Sequence, residues 1–125
     1  MGLLSGLMGQ ASETSIEKIQ QEFSPILIEG EVLEKAYKVV RDLYVFTNKR
    51  LILVDKQGLT ASKVEYLSIP YKSIIRFSKE SAGLLDLDAE LKIWLTGMQE
   101  PITKEFKKDN NINEVYRTLS RYVLI

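Results

Sequence analysis

The sequence contains neither cysteine nor histidine, and each absence removes whole classes of chemistry. Without cysteine there are no disulfides and no thiolate metal sites. Without histidine, Ser-His and Cys-His nucleophile pairs, His-based zinc sites and His proton shuttles are excluded together. No catalytic residue, metal site or cofactor-binding residue is predicted among the remaining side chains. We therefore predict that the protein is not an enzyme and binds no cofactor.

An excess of one charge is also missing. Seventeen basic and seventeen acidic residues give a net charge of +0, whereas nucleic-acid binders usually carry a basic excess. No nucleic-acid partner is predicted, and anionic membranes are disfavoured as purely electrostatic partners. No run approaches the roughly 20 apolar residues of a transmembrane helix, and the first cation, Lys18, comes too late for a signal peptide. These features favour a soluble cytoplasmic protein.

The first 24 residues predict an N-terminal helical arm. A helix is expected at about 12–23, where Thr14 and Glu17 have the spacing of a capping box, and the pattern ends at Pro25. Upstream, four apolar residues can share one helical face. The arm is expected to pack on its own subunit, on a neighbouring subunit or on a membrane interface. Its candidate contact residues are Leu3, Leu4, Leu7 and Met8.

Seven short strands and a C-terminal helix are predicted for residues 25–125, which we expect to form one domain. Asn48 and Lys49 favour a hairpin turn, and the alternation of apolar and polar residues over 88–95 is typical of a half-buried antiparallel strand. From residue 112, apolar residues at steps of three and four predict an amphipathic helix that plugs a bent sheet or barrel. The fold class is α+β, mainly β. The strands are predicted at 31–40, 43–47, 50–55, 62–70, 73–81, 88–95 and 101–106.

Three stretches of the sequence resemble a bacterial family of pleckstrin-homology-like (PH-like) domains, long known as a domain of unknown function. They are DLYVFTNKRLILVDKQGLT (42–60), VEYLSIPYKSIIRFSKESAG (64–83) and DLDAELKIW (86–94). The resemblance covers nearly the whole chain and implies a PH-like fold, homo-oligomers that close into rings, and no established enzymatic activity. Eukaryotic PH domains often bind phosphoinositides through a long basic loop. The matching turn here, Arg41-Asp42, is too short for such a loop, so phosphoinositide binding is not implied.

The strands predicted at 43–47 and 50–55 are apolar on both faces. One strand face packs on the domain's own core, so the other must be covered by the arm or by another subunit. The resemblance favours another subunit. Trp94 is added as a residue type enriched in binding hot spots, with packing under a local loop as the alternative. The candidate interface residues are Leu43, Val45, Phe46, Leu51, Ile52, Leu53 and Trp94.

Two charged motifs have simpler interpretations than a binding site. Lys49 and Arg50 fit a solvated hairpin turn better than a phosphate site, because no further basic residue converges on them in sequence. Asp86, Asp88 and Glu90 lack the glycine and spacing of a calcium loop. We therefore expect a non-catalytic, self-associating scaffold or interaction domain whose partners are copies of itself in a ring and an unidentified protein. The alternative is a peripheral membrane- or lipid-binding module that inserts the N-terminal arm.

Overall fold

The computed structural model describes residues 12–39, 42–58, 62–81, 88–106 and 112–125, without the side chains of residues 12 and 13. Within these ranges lie eight strands, two α-helices and two short 3-10 turns, Ser24–Ile26 and Tyr71–Ser73. In chain order the strands and helices are β1 Ser12–Glu13, α1 Ile16–Phe23, β2 Leu33–Val39, β3 Asp42–Thr47, β4 Arg50–Gln57, β5 Lys63–Pro70, β6 Ile74–Ser81, β7 Ala89–Leu95, β8 Ile102–Phe106 and α2 Ile112–Val123.

The strands form two antiparallel sheets. The large sheet has the order β1-β2-β3-β4-β5, and the small sheet has the order β6-β7-β8. The seven predicted strands and the C-terminal helix are all present, which confirms the predicted α+β class. The large and small sheets are separate, so the described strands do not form one closed barrel.

The inner core fills the space between the two sheets and α2. The helix contributes Val115 and Leu119, both fully buried, as the predicted amphipathic pattern requires. Near its end, the ring of Tyr122 stacks on Phe46 at 5.5 Å and on Tyr71 at 4.7 Å between ring centroids. Each large apolar side chain buried in this way contributes about 1.5–3 kcal/mol before entropy is counted.

The turn between β3 and β4 follows the sequence prediction, and the predicted turn at Arg41-Asp42 does not. Residues 48 and 49 connect β3 to β4, as expected for a hairpin. Gly97 has φ +83° in the turn after β7, a conformation that glycine adopts without a Cβ clash. Between β2 and β3, Val39 pairs with Asp42. Asp42 therefore belongs to β3 and not to the predicted Arg41-Asp42 turn, and residues 40 and 41 lie outside the described residues.

The start of the predicted N-terminal helix is wrong. Residues 12 and 13 form β1 and pair with Lys38 and Tyr37, while the amide of Thr14 donates to the Ala36 carbonyl at 2.8 Å. Pairing of these residues satisfies backbone groups of β2 that a helix would leave free at this edge. The helix begins at Ile16, so the predicted capping box at Thr14 does not form.

At the start of α1, Ser15 takes the N-cap position with an extended backbone, ψ 132°. Its hydroxyl donates to Oε1 of Glu17 at 2.5 Å. The acidic residue is therefore in the first turn, where it complements the positive end of the helix dipole.

Candidate interaction surfaces

Six of the seven side chains predicted for an oligomer interface are buried within the single chain. Each lies on β3 or β4 and is 5% exposed or less: Leu43, Val45, Phe46, Leu51, Ile52 and Leu53. Successive side chains of a strand point to opposite faces. Three of the six accordingly lie in the inner core and three on the outer face of the large sheet. Because this chain already covers all six, another subunit would have to bind to different residues.

Helix α1 covers the outer face of the large sheet. Ile19 and Phe23 of the helix pack with six side chains of β2, β3 and β4 in what we call the outer cluster. Phe23 is 0% exposed, and Ile16 and Leu27 pack at the margin of the cluster. The helix therefore supplies the second layer that strands with two apolar faces require.

The turn between β3 and β4 is joined to the segment that precedes β2. The side chain of Asn48 accepts a hydrogen bond from the amide of Val32 at 2.8 Å and donates one to the carbonyl of Gly30 at 3.0 Å. The amide of Asn48 donates in addition to the Val32 carbonyl at 3.2 Å. These three bonds hold the connection between α1 and β2 against the hairpin.

Arg50, at the start of β4, forms an ion pair with the buried carboxylate of Glu31. Nε and Nη2 of Arg50 donate to the two carboxylate oxygens at 2.8 and 3.0 Å. The remaining donors reach the Ser68 hydroxyl at 2.9 Å and the Ile26 carbonyl at 2.7 Å. A guanidinium group with these partners is not available to a phosphate. The basic stretch therefore serves as a turn and as an anchor for the chain around α1.

The Glu31 carboxylate is held in its charged form. Its burial opposes ionisation, but hydrogen bonds from Arg50, from the Thr47 hydroxyl and from the Ile28 amide hold its pKa below the ordinary value of 4.5. The Thr47 bond is 2.7 Å long and the Ile28 bond 3.1 Å. A buried carboxylate with four donors is satisfied, so this cluster is structural.

Trp94 lies on the outer face of the small sheet, which no described helix covers. The guanidinium carbon of Arg76 lies 4.6 Å from the centroid of the Trp94 ring, a cation–π contact. On the same face, Lys92 binds Glu80 at 3.0 Å. The packing partner of Trp94 is therefore a charged side chain of the neighbouring strand, and the indole stays half-buried.

Four described strands lie at a sheet edge, β1, β5, β6 and β8, and β5 and β6 are the longest of them at eight residues each. β5 pairs with β4 and β6 pairs with β7, and neither has a second neighbour in the described part of the chain. Such an edge offers unpaired N–H and C=O groups to an extended chain. Val64 and Tyr66 on β5 are each 40% exposed, and Ile75 on β6 is 55% exposed. The hydroxyl of Tyr66 donates to Glu22 at 2.6 Å, and this bond raises the pKa of Tyr66 to about 12.

The remaining exposed apolar side chains lie at one end of the fold, which we call the turn end. The β3–β4 turn and the end of β5 meet there, because Arg50 pairs with Pro70. The β5–β6 connection and the β7–β8 turn also meet there, because the amide of Thr96 donates to the Ser73 carbonyl at 2.8 Å. The turn end therefore contains three of the connections between described strands.

Six large apolar side chains are exposed at the turn end. The segment between α1 and β2 reaches it through the bonds between Asn48 and Val32. Helix α2 ends there, because Tyr122 stacks on Tyr71. The six exposed side chains are Ile26, Ile28, Val32, Met98, Leu124 and Ile125.

The described residues contain no group of three or more His, Cys, Asp or Glu side chains that could hold a metal ion. Of the carboxylates spaced two apart in the sequence, Asp86 lies outside the described residues, and Asp88 and Glu90 are half-buried. None of the described helices has the length and apolar character needed to cross a membrane. The predicted contact residues of the N-terminal arm also lie outside the described residues: Leu3, Leu4, Leu7 and Met8.

The sequence and the fold match one known family across nearly the whole chain. A family model described as Bacterial PH domain matches residues 2–123. The chain belongs to the bacterial PH domain family. This membership confirms the resemblance seen in the sequence.

Relatives of this bacterial PH domain include solved structures. A pleckstrin homology domain from Shewanella amazonensis SB2B is 53% identical, with a TM-score of 0.86 over 99% of this chain and 100% of the other. A DUF1696 family protein with a pleckstrin-homology domain from Shewanella loihica PV-4 is 46% identical, with a TM-score of 0.77 over 92% of this chain and 98% of the other. The uncharacterized protein YjqA of Bacillus subtilis (strain 168) is 56% identical over 121 residues, 96% of this chain and 97% of YjqA. The names of the two solved structures indicate a PH-like domain, and none of the three names indicates a catalytic family.

Proposed function

We propose that this bacterial PH domain is a non-catalytic interaction domain that binds copies of itself through its free strand edges. The observation that carries the proposal is that β5 and β6 each leave eight residues of strand without a second neighbour in the described chain. Across such an edge, main-chain hydrogen bonds supply affinity and side chains supply specificity. A contact between β5 of one copy and β6 of the next is head-to-tail. Repeated contacts of this kind close into a ring when a whole number of the rotations between neighbouring copies makes one full rotation.

One antiparallel register suits the two edges in both apolar character and charge. In this register, Leu67 lies opposite Phe77 of the second copy, and both side chains are partly buried at the margin of the inner core. Glu65 then lies opposite Lys79 of the second copy, and both are exposed in the single chain. An apolar pair and an opposite-charge pair across two strands each contribute about 0.2–1 kcal/mol.

The solution mass of purified protein, measured by light scattering after size exclusion, tests the proposal. We expect a single species at a multiple of the 14.3 kDa subunit mass. Glu65→Lys places two lysines opposite each other in the proposed register, so its mass is expected to fall towards that of the monomer. The double variant Glu65→Lys/Lys79→Glu restores the opposite charges, so its solution mass is expected to equal that of the unaltered protein. Asp55 lies directly opposite Glu65 within the chain, so a lysine at position 65 does not threaten the fold.

The matched control is Glu90→Lys, the same charge change on the outer face of β7, which is the central strand of the small sheet. Its mass should equal that of the unaltered protein. A monomeric unaltered protein would refute self-association altogether. An oligomer that Glu65→Lys leaves intact would refute the pairing of β5 with β6 and leave self-association standing.

The non-catalytic part of the proposal is supported by the lack of histidine and cysteine in the sequence. We also propose a cytoplasmic location, which a cysteine-free sequence suits. A ring would present the polar outer face of each small sheet several times to an unidentified protein partner. Repetition of one weak site in this way raises the overall avidity without any new contact, which is what a scaffold requires.

A further inference from the structure

The N-terminal segment, residues 1–11, leaves the described fold at the end opposite the turn end. β1 runs antiparallel to β2, with Ser12 beside Lys38. Followed from Thr14 back to Ser12, the chain therefore runs from Ala36 towards Lys38 and away from Leu33, where β2 begins. Leu33 adjoins the turn end, because it pairs with Thr47. At Ser12, where the described chain begins, the backbone is consequently at the end of β2 farther from the turn end.

A return to the turn end of the same molecule would need a reversal of the chain. The five residue steps from Lys38 to Leu33 correspond to roughly 17 Å of strand. β1 pairs with this side of β2 and α1 packs beside it, so the returning segment would have to pass both. The turn end of a second molecule can be reached without this reversal, since eleven extended residues span up to about 36 Å.

The composition of the segment suits the surface at the turn end. Residues 1–12 carry no charged side chain. At the turn end, Val32 is 57% exposed and Ile28 is 61% exposed. Exposed charges of both signs, such as Lys49 and Glu29, lie nearby, so the turn end has no strong attraction for anionic lipid. An uncharged apolar segment buries its side chains there without leaving a charge unpaired.

We infer that the turn end of one molecule binds the N-terminal segment of another. The inference rests on the proposed self-association, because the partner is again a second copy, but it assigns a different surface from the β5 and β6 edges. The contact is heterologous, since one end of each molecule meets the opposite end of the next. The contacting side chains are Leu3, Leu4, Leu7 and Met8 on the segment and Ile28, Val32 and Met98 on the turn end.

Cysteine cross-linking in the full chain tests this contact, because the chain contains no cysteine of its own. Two variants, Leu7→Cys and Val32→Cys, are mixed and oxidised, and the mixed disulfide is measured on a non-reducing gel. We expect it to form well ahead of the mixed disulfide between Leu7→Cys and Thr103→Cys. Thr103 is exposed on the outer face of the small sheet, which takes no part in the inferred contact, and serves as the matched control.

Three outcomes would overturn the inference. Equal yields for the Val32 and Thr103 pairs would mean random collision. A Leu7→Cys/Val32→Cys double variant that forms only an internal disulfide when diluted would mean packing within one molecule. Loss of cross-linking in the presence of phosphatidylcholine–phosphatidylglycerol vesicles, with co-sedimentation that needs residues 2–11, would mean insertion into lipid.

The same cross-linking in the Glu65→Lys background separates the two proposals. A Leu7–Val32 disulfide that persists in an otherwise monomeric variant would support the segment contact while the strand-edge contact is broken. If the Glu65→Lys variant keeps its oligomeric mass but forms no Leu7–Val32 disulfide, both proposals are refuted. The molecules would then associate through a third surface.

Discussion

The outer faces of the two sheets are covered in opposite ways. On the large sheet, the outward side chains of β3 and β4 are apolar and lie under α1, with Val45 and Ile52 at 0% exposure. On the small sheet, the outward side chains of β7 are Glu90, Lys92 and Trp94, and all three are partly exposed. Both sheets share one inner core, so the difference arises from the second layer alone.

This difference teaches how to interpret a strand that is apolar on both faces. Such a strand indicates a second layer, as the continuous runs of β3 and β4 did. It does not indicate which chain supplies that layer. Here an eight-residue helix from the same chain supplies it.

The largest effect is expected from removing the centre of the outer cluster. Phe23→Ala empties a fully buried site between α1 and the large sheet, and buried Phe→Ala changes lower the free energy of unfolding by about 3–5 kcal/mol. Urea unfolding at equilibrium measures the loss. Phe23→Leu is the control and should lose much less, because most of the volume is kept. A loss below about 1 kcal/mol for Phe23→Ala would mean that α1 is not a fixed layer of the fold.

Local patterns predicted much of this architecture, but long-range contacts were beyond them. Alternation of apolar and polar residues predicted β7, apolar runs predicted β3 and β4, and the period of three to four predicted α2. β1 has only two residues, which is too short for any period. Glu31 and Arg50 are 19 positions apart, so nothing in the sequence revealed their ion pair. The free edges of β5 and β6 depend on strand order, which is a property of the whole fold.

An intermediate effect that depends on pH is expected where α1 is anchored. The folded pKa of Glu31 is lowered, so its contribution is fully present above the unfolded value near 4.5 and is lost as the pH falls through the folded pKa. Glu31→Gln should lower the free energy of unfolding by about 2–3 kcal/mol at pH 7, less than for a fully buried pair, because the side chain of Arg50 is 22% exposed. The difference in the free energy of unfolding between Glu31→Gln and the unaltered protein should then decrease at acidic pH.

Urea midpoints at pH 7 and at successively lower pH test this expectation. Glu29→Gln is the matched control, since it removes an exposed carboxylate two positions away and should leave the unaltered pH dependence in place. A difference in stability between Glu31→Gln and the unaltered protein that stays constant down to strongly acidic pH would contradict the lowered pKa of Glu31. The large sheet would then hold α1 by apolar packing alone.

The smallest effect is expected on the uncovered face of the small sheet. Trp94→Ala removes the contact with Arg76 and some half-buried apolar area. Exposed cation–π contacts contribute about 0.5–1 kcal/mol, so the free energy of unfolding should fall by only about 1–2 kcal/mol, with Trp94→Phe as the control that keeps a ring. The loss should stay well below that of Phe23→Ala, although both changes delete a large aromatic side chain. Equal losses would mean that the outer face of the small sheet is buried in solution.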